Sequence, residues 1–188
     1  MTPLRVLALS GSLRSGSNNT ELLRAAAVAA PAGIELELYE GVKQIPPYDA
    51  DDDGGADRQP EAVRRLRAAL ARADAVLVAT PEYNSSLPGV LKNALDWVSR
   101  PLALSPVRNK PAAVLSSSTG GFGGVWAAAE TRKVLGALGA RVLEDTVAVP
   151  QARERLAGGV DDELAEQLRV VVEALAAEVR EREAAAAA

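Results

Sequence analysis

The sequence predicts an α/β fold: a parallel sheet wound with helices on both faces. Three observations carry that expectation. Five short apolar runs alternate with five longer helical patterns, without internal repeat or linker. The central run, Ala75–Thr80, is almost wholly apolar, as a strand covered on both faces must be. A length of 188 residues suits one well-buried domain spanning 1–188 and is short for two.

Leu4–Leu9 reads as the first strand, followed by the polar stretch Ser10–Asn19. A helix is expected from Asn19 or Thr20 to Ala30, with Asn19 as a possible N-cap and Pro31 and Gly33 as its stop. Ile34–Tyr39 is the second strand, and residues 40–60 form a loop rich in Pro, Gly and Asp. A helix over Glu61–Arg72 leads to the Ala75–Thr80 strand. Beyond it come the loop Pro81–Leu87, a helix Pro88–Ser99 and a fourth strand, Pro111–Ser117. The Gly-rich loop Ser118–Gly124, a helix Val125–Leu138 and a fifth strand, Arg141–Val149, follow. The last helix starts near Asp161, with Leu164, Leu168, Val171, Val172, Leu175 and Val179 along one face. The terminal alanines are expected to fray.

Composition narrows the function. The chain holds no Cys and no His, which excludes disulfides, thiolate and imidazole metal sites, and Ser-His or Cys-His hydrolysis. Any difficult chemical step therefore belongs to a cofactor, and no side chain is assigned as catalytic. A net charge of −4 argues against a nucleic-acid binder. No stretch reaches the ~20 apolar residues of a membrane span, and Leu4–Leu9 is too short for a signal segment. A soluble, cytoplasmic protein is expected. Asp49, Asp51 and Asp53 copy the start of a calcium loop, but Pro60 occupies the twelfth position, so no metal site is assigned.

In a wound parallel sheet, ligands bind beyond the carboxyl ends of the strands. Three loops there have unusual composition. Residues 10–20 gather Ser hydroxyls, two Asn amides, Thr20, two glycines and Arg14 beside a helix N-terminus, a donor set complementary to phosphate. A Walker A reading fails because Ser17-Asn18 stands where Lys-Ser/Thr is required, and no Gly-x-Gly-x-x-Gly is present. Pro81–Gly89 is stiffened by prolines and carries Tyr83, a stacking surface for a flat heterocycle. Ser118–Gly124 allows a ligand edge close to backbone N–H groups.

Together Gly11-Ser-Leu-Arg-x-x-Ser-x-Asn19, Pro81-Glu-Tyr-Asn84, the stretch Pro88–Trp97 and the Ser/Gly loop at 116–124 resemble the NADPH-dependent FMN reductase family, flavodoxin-like enzymes that include quinone and chromate reductases. The resemblance runs from about residue 4 to 149. It implies a flavodoxin-like five-stranded sheet of order 2-1-3-4-5 with noncovalent FMN and NADPH or NADH as hydride donor. By motif match, Ser12, Arg14, Ser17, Asn19 and Thr20, with Asn18 among them, would hold the phosphate. Pro81, Glu82, Tyr83 and Asn84 would line the isoalloxazine, and Ser117 with Gly120 would meet its polar edge. Asn18 departs from a bulky residue frequent at its position, and Val125-Trp126 replaces polar residues that some relatives use to build tetramers.

The activity so implied is ping-pong: nicotinamide delivers hydride and leaves before a quinone, or a similar acceptor such as chromate, an azo dye or free flavin, takes two electrons at the same site. The opposed reading is a flavodoxin-type electron carrier or redox sensor without steady turnover. Flavodoxins resemble one another in a Thr-rich phosphate loop, usually without an Arg, so Arg14 favours the enzyme. A homodimer, able to pair into a homotetramer, is expected from the helical wheel. Trp97 falls about 100° or more from the centre of its helix's apolar stripe, Trp126 also falls off the stripe of its helix, and both would be covered by a second copy.

Overall fold

The computed structural model describes residues 3–55 and 58–187. Five parallel strands lie in the order β2-β1-β3-β4-β5, the order that the flavodoxin-like resemblance implies. They are β1 (Leu4–Ser10), β2 (Ile34–Tyr39), β3 (Ala75–Thr80), β4 (Pro111–Ser117) and β5 (Arg141–Val149). The principal helices are α1 (Asn18–Ala29), α2 (Glu61–Arg72), α3 (Gly89–Val98), α4 (Val125–Ala137), the short α5 (Ala152–Arg155) and α6 (Asp162–Ala187). Strand boundaries agree with the sequence reading except that β1 runs on to Ser10. The alternation missed α5 because four residues carry no period, and α6 extends through Ala187.

The period-2 alternation of the strands splits the core in two. Leu7, Leu9, Val76, Val78 and Val114 face α2, α3 and α4, whereas Val6, Ala8, Leu77, Ala79 and Leu115 face α1 and α6. β3 is buried at every position, as its sequence requires. The α6 stripe from Leu164 to Val179 is buried as read, and Asp161 caps that helix by accepting from Leu164 N–H at 2.9 Å.

The loop at residues 40–60 corrects one expectation. Trp97 is completely buried by its own chain, donating Nε1–H to Pro46 O at 2.9 Å and meeting Tyr48 edge-to-face at 4.8 Å. Asn93, one turn earlier, donates to Pro46 O and accepts from Tyr48 N–H, both at 2.8 Å. The flank of α3 that the helical wheel leaves open is therefore covered within the protomer. Two acidic residues of this loop hold local structure: Asp49 accepts from Asp51 N–H at 2.9 Å, and Asp53 accepts from Gln59 at 2.5 Å. Among the described residues no helix is long and apolar enough to cross a membrane, and no group of acidic side chains is arranged to hold a metal ion.

Candidate active site

The carboxyl ends of β1, β3 and β4 open into one cleft, where the three loops converge. Ser12, Arg14, Ser17, Asn18, Asn19, Pro81, Glu82, Tyr83 and Ser117 line it, joined by Ser118 and Thr119. Of the residues expected from sequence, Thr20, Asn84 and Gly120 do not line it.

α1 begins one residue earlier than Asn19 because Ser17, buried and extended, caps it by accepting from Thr20 N–H at 3.3 Å. The N–H groups of Asn18 and Asn19, in the first helical turn, have no intrahelical acceptor to bond and stand at the positive end of the helix dipole. Arg14 is exposed on the same loop. Thr20 instead pairs its hydroxyl with Ser10 at 2.9 Å and faces the neighbouring hollow between β1 and β2.

Asn19 has a role that its motif position conceals. Its amide donates to Ser117 O at 3.2 Å and accepts from Ser117 N–H at 3.0 Å, so a side chain that is 3% exposed ties α1 to the end of β4. Ser117 Oγ, in contrast, is buried with no hydrogen-bond partner. An unpartnered buried hydroxyl costs on the order of 1–3 kcal/mol, and one at a cleft wall is a ready partner for a polar ligand edge.

The Pro81–Leu87 loop carries a tight turn. Tyr83 and Ser86 exchange backbone hydrogen bonds at 3.0 and 3.2 Å, and Asn84 and Ser85 adopt φ of 53° and 61°. Both central residues in the left-handed region define a primed turn, which Asn tolerates and Ser adopts less readily. Asn84 thus shapes the turn, and Tyr83 stands 53% exposed beside the cleft. Glu82 turns its carboxylate to the start of α4, accepting from Trp126 N–H at 3.1 Å and Ala127 N–H at 3.2 Å. From α4, Glu130 reaches back to accept from Ser86 Oγ at 2.5 Å and Leu87 N–H at 3.2 Å. The bond from Ser86, then that from Leu87, holds the Glu130 carboxyl below its ordinary pKa.

The glycines before α4 serve the fold. Gly123 and Gly124 have φ of 66° and 84°, and a Cβ on Gly123 would lie 2.9 Å from Val149 N. Gly120 is bound into the same wall: its N–H donates to Ser118 Oγ at 3.1 Å and its carbonyl accepts from Gln151 N–H at 3.0 Å. Ser118 and Thr119 were legible only as members of a Ser/Gly loop. Glu130 and Ser86 carried no sequence signal, because their pairing spans two elements.

The donor set fits a phosphorylated flat heterocycle: helix N–H groups and Arg14 at one end, Tyr83 along the ring, Ser117 Oγ at a polar edge. Comparison with known proteins gives the class. The family model for NADPH-dependent FMN reductases matches residues 4–154, and the chain belongs to that family. It is an oxidoreductase of the FMN- and NAD(P)H-dependent class. An NAD(P)H-dependent FMN reductase of Pseudomonas aeruginosa is 47% identical over 132 residues, 70% of this chain and 69% of its own length. A quinone reductase of Escherichia coli is 41% identical over 143 residues, 74% of this chain and 73% of its own. In structure, the flavoenzyme NAD(P)H:(acceptor) oxidoreductase of Paracoccus denitrificans aligns over 95% of this chain and 98% of its own, with a TM-score of 0.83 and 32% identity.

Proposed function

We propose that this chain reduces quinones or similar small acceptors with electrons from NAD(P)H, donor and acceptor alternating over FMN in a single cleft. One observation carries the reading: a helix N-terminus with unbonded N–H groups, a guanidinium, an exposed Tyr and a buried unpartnered hydroxyl meet at the carboxyl edge of one sheet. The quinone reductase of Escherichia coli among the relatives supports the acceptor class.

Ser12, Arg14, Ser17 and the N–H groups of Asn18 and Asn19 would bind the phosphate. Pro81, the backbone at Glu82 and the Tyr83 ring would flank the isoalloxazine, with Ser117 Oγ at its polar edge. Thr20, Asn84 and Gly120 act by shaping these walls. FMN would supply the hydride and electron transfer that a chain without His or Cys cannot perform itself. The protein's part is to bind, orient and leave one face open, with protons drawn from solvent. The five strands form one sheet, and residues 1–188 act as one FMN domain in which donor and acceptor share this cleft. That arrangement makes donor and acceptor compete, and double-reciprocal plots of NADPH oxidation at several quinone concentrations should be parallel. Intersecting lines would contradict it.

The same proposal includes a cytoplasmic homodimer, able to pair into a tetramer. Its support is now Trp126 alone of the two tryptophans. Trp126 is 50% exposed and stacked edge-to-face on Phe122, itself 67% exposed, at 5.1 Å. Two large aromatic rings exposed side by side offer an apolar surface that a second copy would cover. Sedimentation at micromolar concentration tests it, a species of 19.5 kDa being the contrary result.

A further inference from the structure

We infer that Glu130 is a positioning residue for the flavin site: from α4 its carboxylate clasps the Tyr83–Ser86 turn and fixes the Tyr83 ring against the cleft. The inference rests on the reading of Tyr83 as a flavin-stacking wall and goes beyond it, since Glu130 does not line the cleft.

The geometry leaves Tyr83 in need of such a hold. Its turn contains two consecutive left-handed residues, and Ser85 at φ 61° has no glycine's freedom there. Tyr83, Asn84 and Ser85 are all exposed, so packing does little to hold the turn. The two backbone bonds between Tyr83 and Ser86 close it locally but do not orient it relative to the sheet. Buried Pro81 and Leu87 fix the two ends of the loop, and two carboxylates running in opposite directions across one gap set the turn between them. Glu82 reaches from the loop to the α4 N-terminus, and Glu130 reaches from α4 to Ser86 and Leu87. Two anchors on either side of Tyr83 remove a hinge that a single anchor would leave. Glu130 is five residues into α4, and Thr131 beside it is buried and bonded to Ala127 O at 2.7 Å, so the base of the clasp is rigid.

A mutant cycle on FMN affinity, read by quenching of flavin fluorescence in the full chain, separates positioning from mere stability. Glu130→Ala should raise the FMN Kd roughly fivefold, about what a lost hydrogen-bonded anchor costs in binding. Glu130→Gln keeps an acceptor oxygen and should stay within about twofold of the natural chain. Ser86→Ala should give a smaller loss than Glu130→Ala, because Leu87 N–H remains held. In a Tyr83→Ala background, Glu130→Ala should have no further effect, since residues acting through one another are not additive. An unchanged Kd in Glu130→Ala, or a full fivefold loss on top of Tyr83→Ala, would overturn the inference. Normal FMN affinity in Tyr83→Ala would overturn it together with the stacking reading, whereas loss in Tyr83→Ala with none in Glu130→Ala overturns the clasp alone.

Discussion

Two asparagines in this chain perform the same task in different places. Asn19 bonds both backbone groups of Ser117, and Asn93 donates to Pro46 O while accepting from Tyr48 N–H. In each case a planar amide, donor on one side and acceptor on the other, staples a backbone segment distant in sequence. Removing the first leaves two buried backbone groups at the cleft wall unpaired. Asn19→Ala should therefore cost ~1–3 kcal/mol in urea unfolding, besides weakening FMN. Arg14 is a contrasting case, exposed and without a partner of its own among the hydrogen bonds and ion pairs of the described residues. Arg14→Ala should leave stability unchanged and weaken FMN roughly tenfold, the low end for a charge-assisted bond, as read by fluorescence titration. Glu130 adds a pH dependence. Its folded pKa lies below the ordinary 4.5, so the clasp is complete above that value and is lost as pH falls through the lower folded one. Lys133 and Lys92 lower it further in the same direction. The Leu87 amide resonance should titrate below pH 4.5 and cease to do so in Glu130→Gln.

At the scale of elements, the strands were legible because a covered parallel sheet demands continuous apolar runs, and Ala75–Thr80 has no polar residue before its last position. Helix ends were less legible. The N-cap of α1 is Ser17 and not Asn19, because Asn19 is drawn into the tie with Ser117, a residue 98 positions away. The largest departure is the 40–60 loop. A helical wheel places Trp97 off the stripe that faces the sheet, but it carries no information on where a loop from earlier in the chain will pass. Ile45 and Tyr48 bring that loop over α3, and the wheel's open flank becomes core. Trp97→Ala should accordingly cost about 3–5 kcal/mol of unfolding free energy, measured by denaturation with urea. An effect on association without loss of stability would contradict its burial.

For the molecule as a whole, the location of the site was legible because the topology of a wound sheet sends three loops to one edge, and those loops were rich in Ser, Asn and Gly. What each residue does there was not. Motif position cannot distinguish a side chain that meets a ligand from one that builds the wall. Glu82 caps α4, Asn84 makes a turn and Asn19 staples α1 to the end of β4, while Ser117 Oγ is left free. Three of the side chains expected at the flavin thus hold backbone that borders the cleft. The most direct test of this account is titration of the flavin-free chain with FMN while NADPH oxidation by a quinone is followed. Activity should rise from none to a plateau at one FMN per chain. Turnover without FMN, or no turnover at saturating FMN, would contradict it.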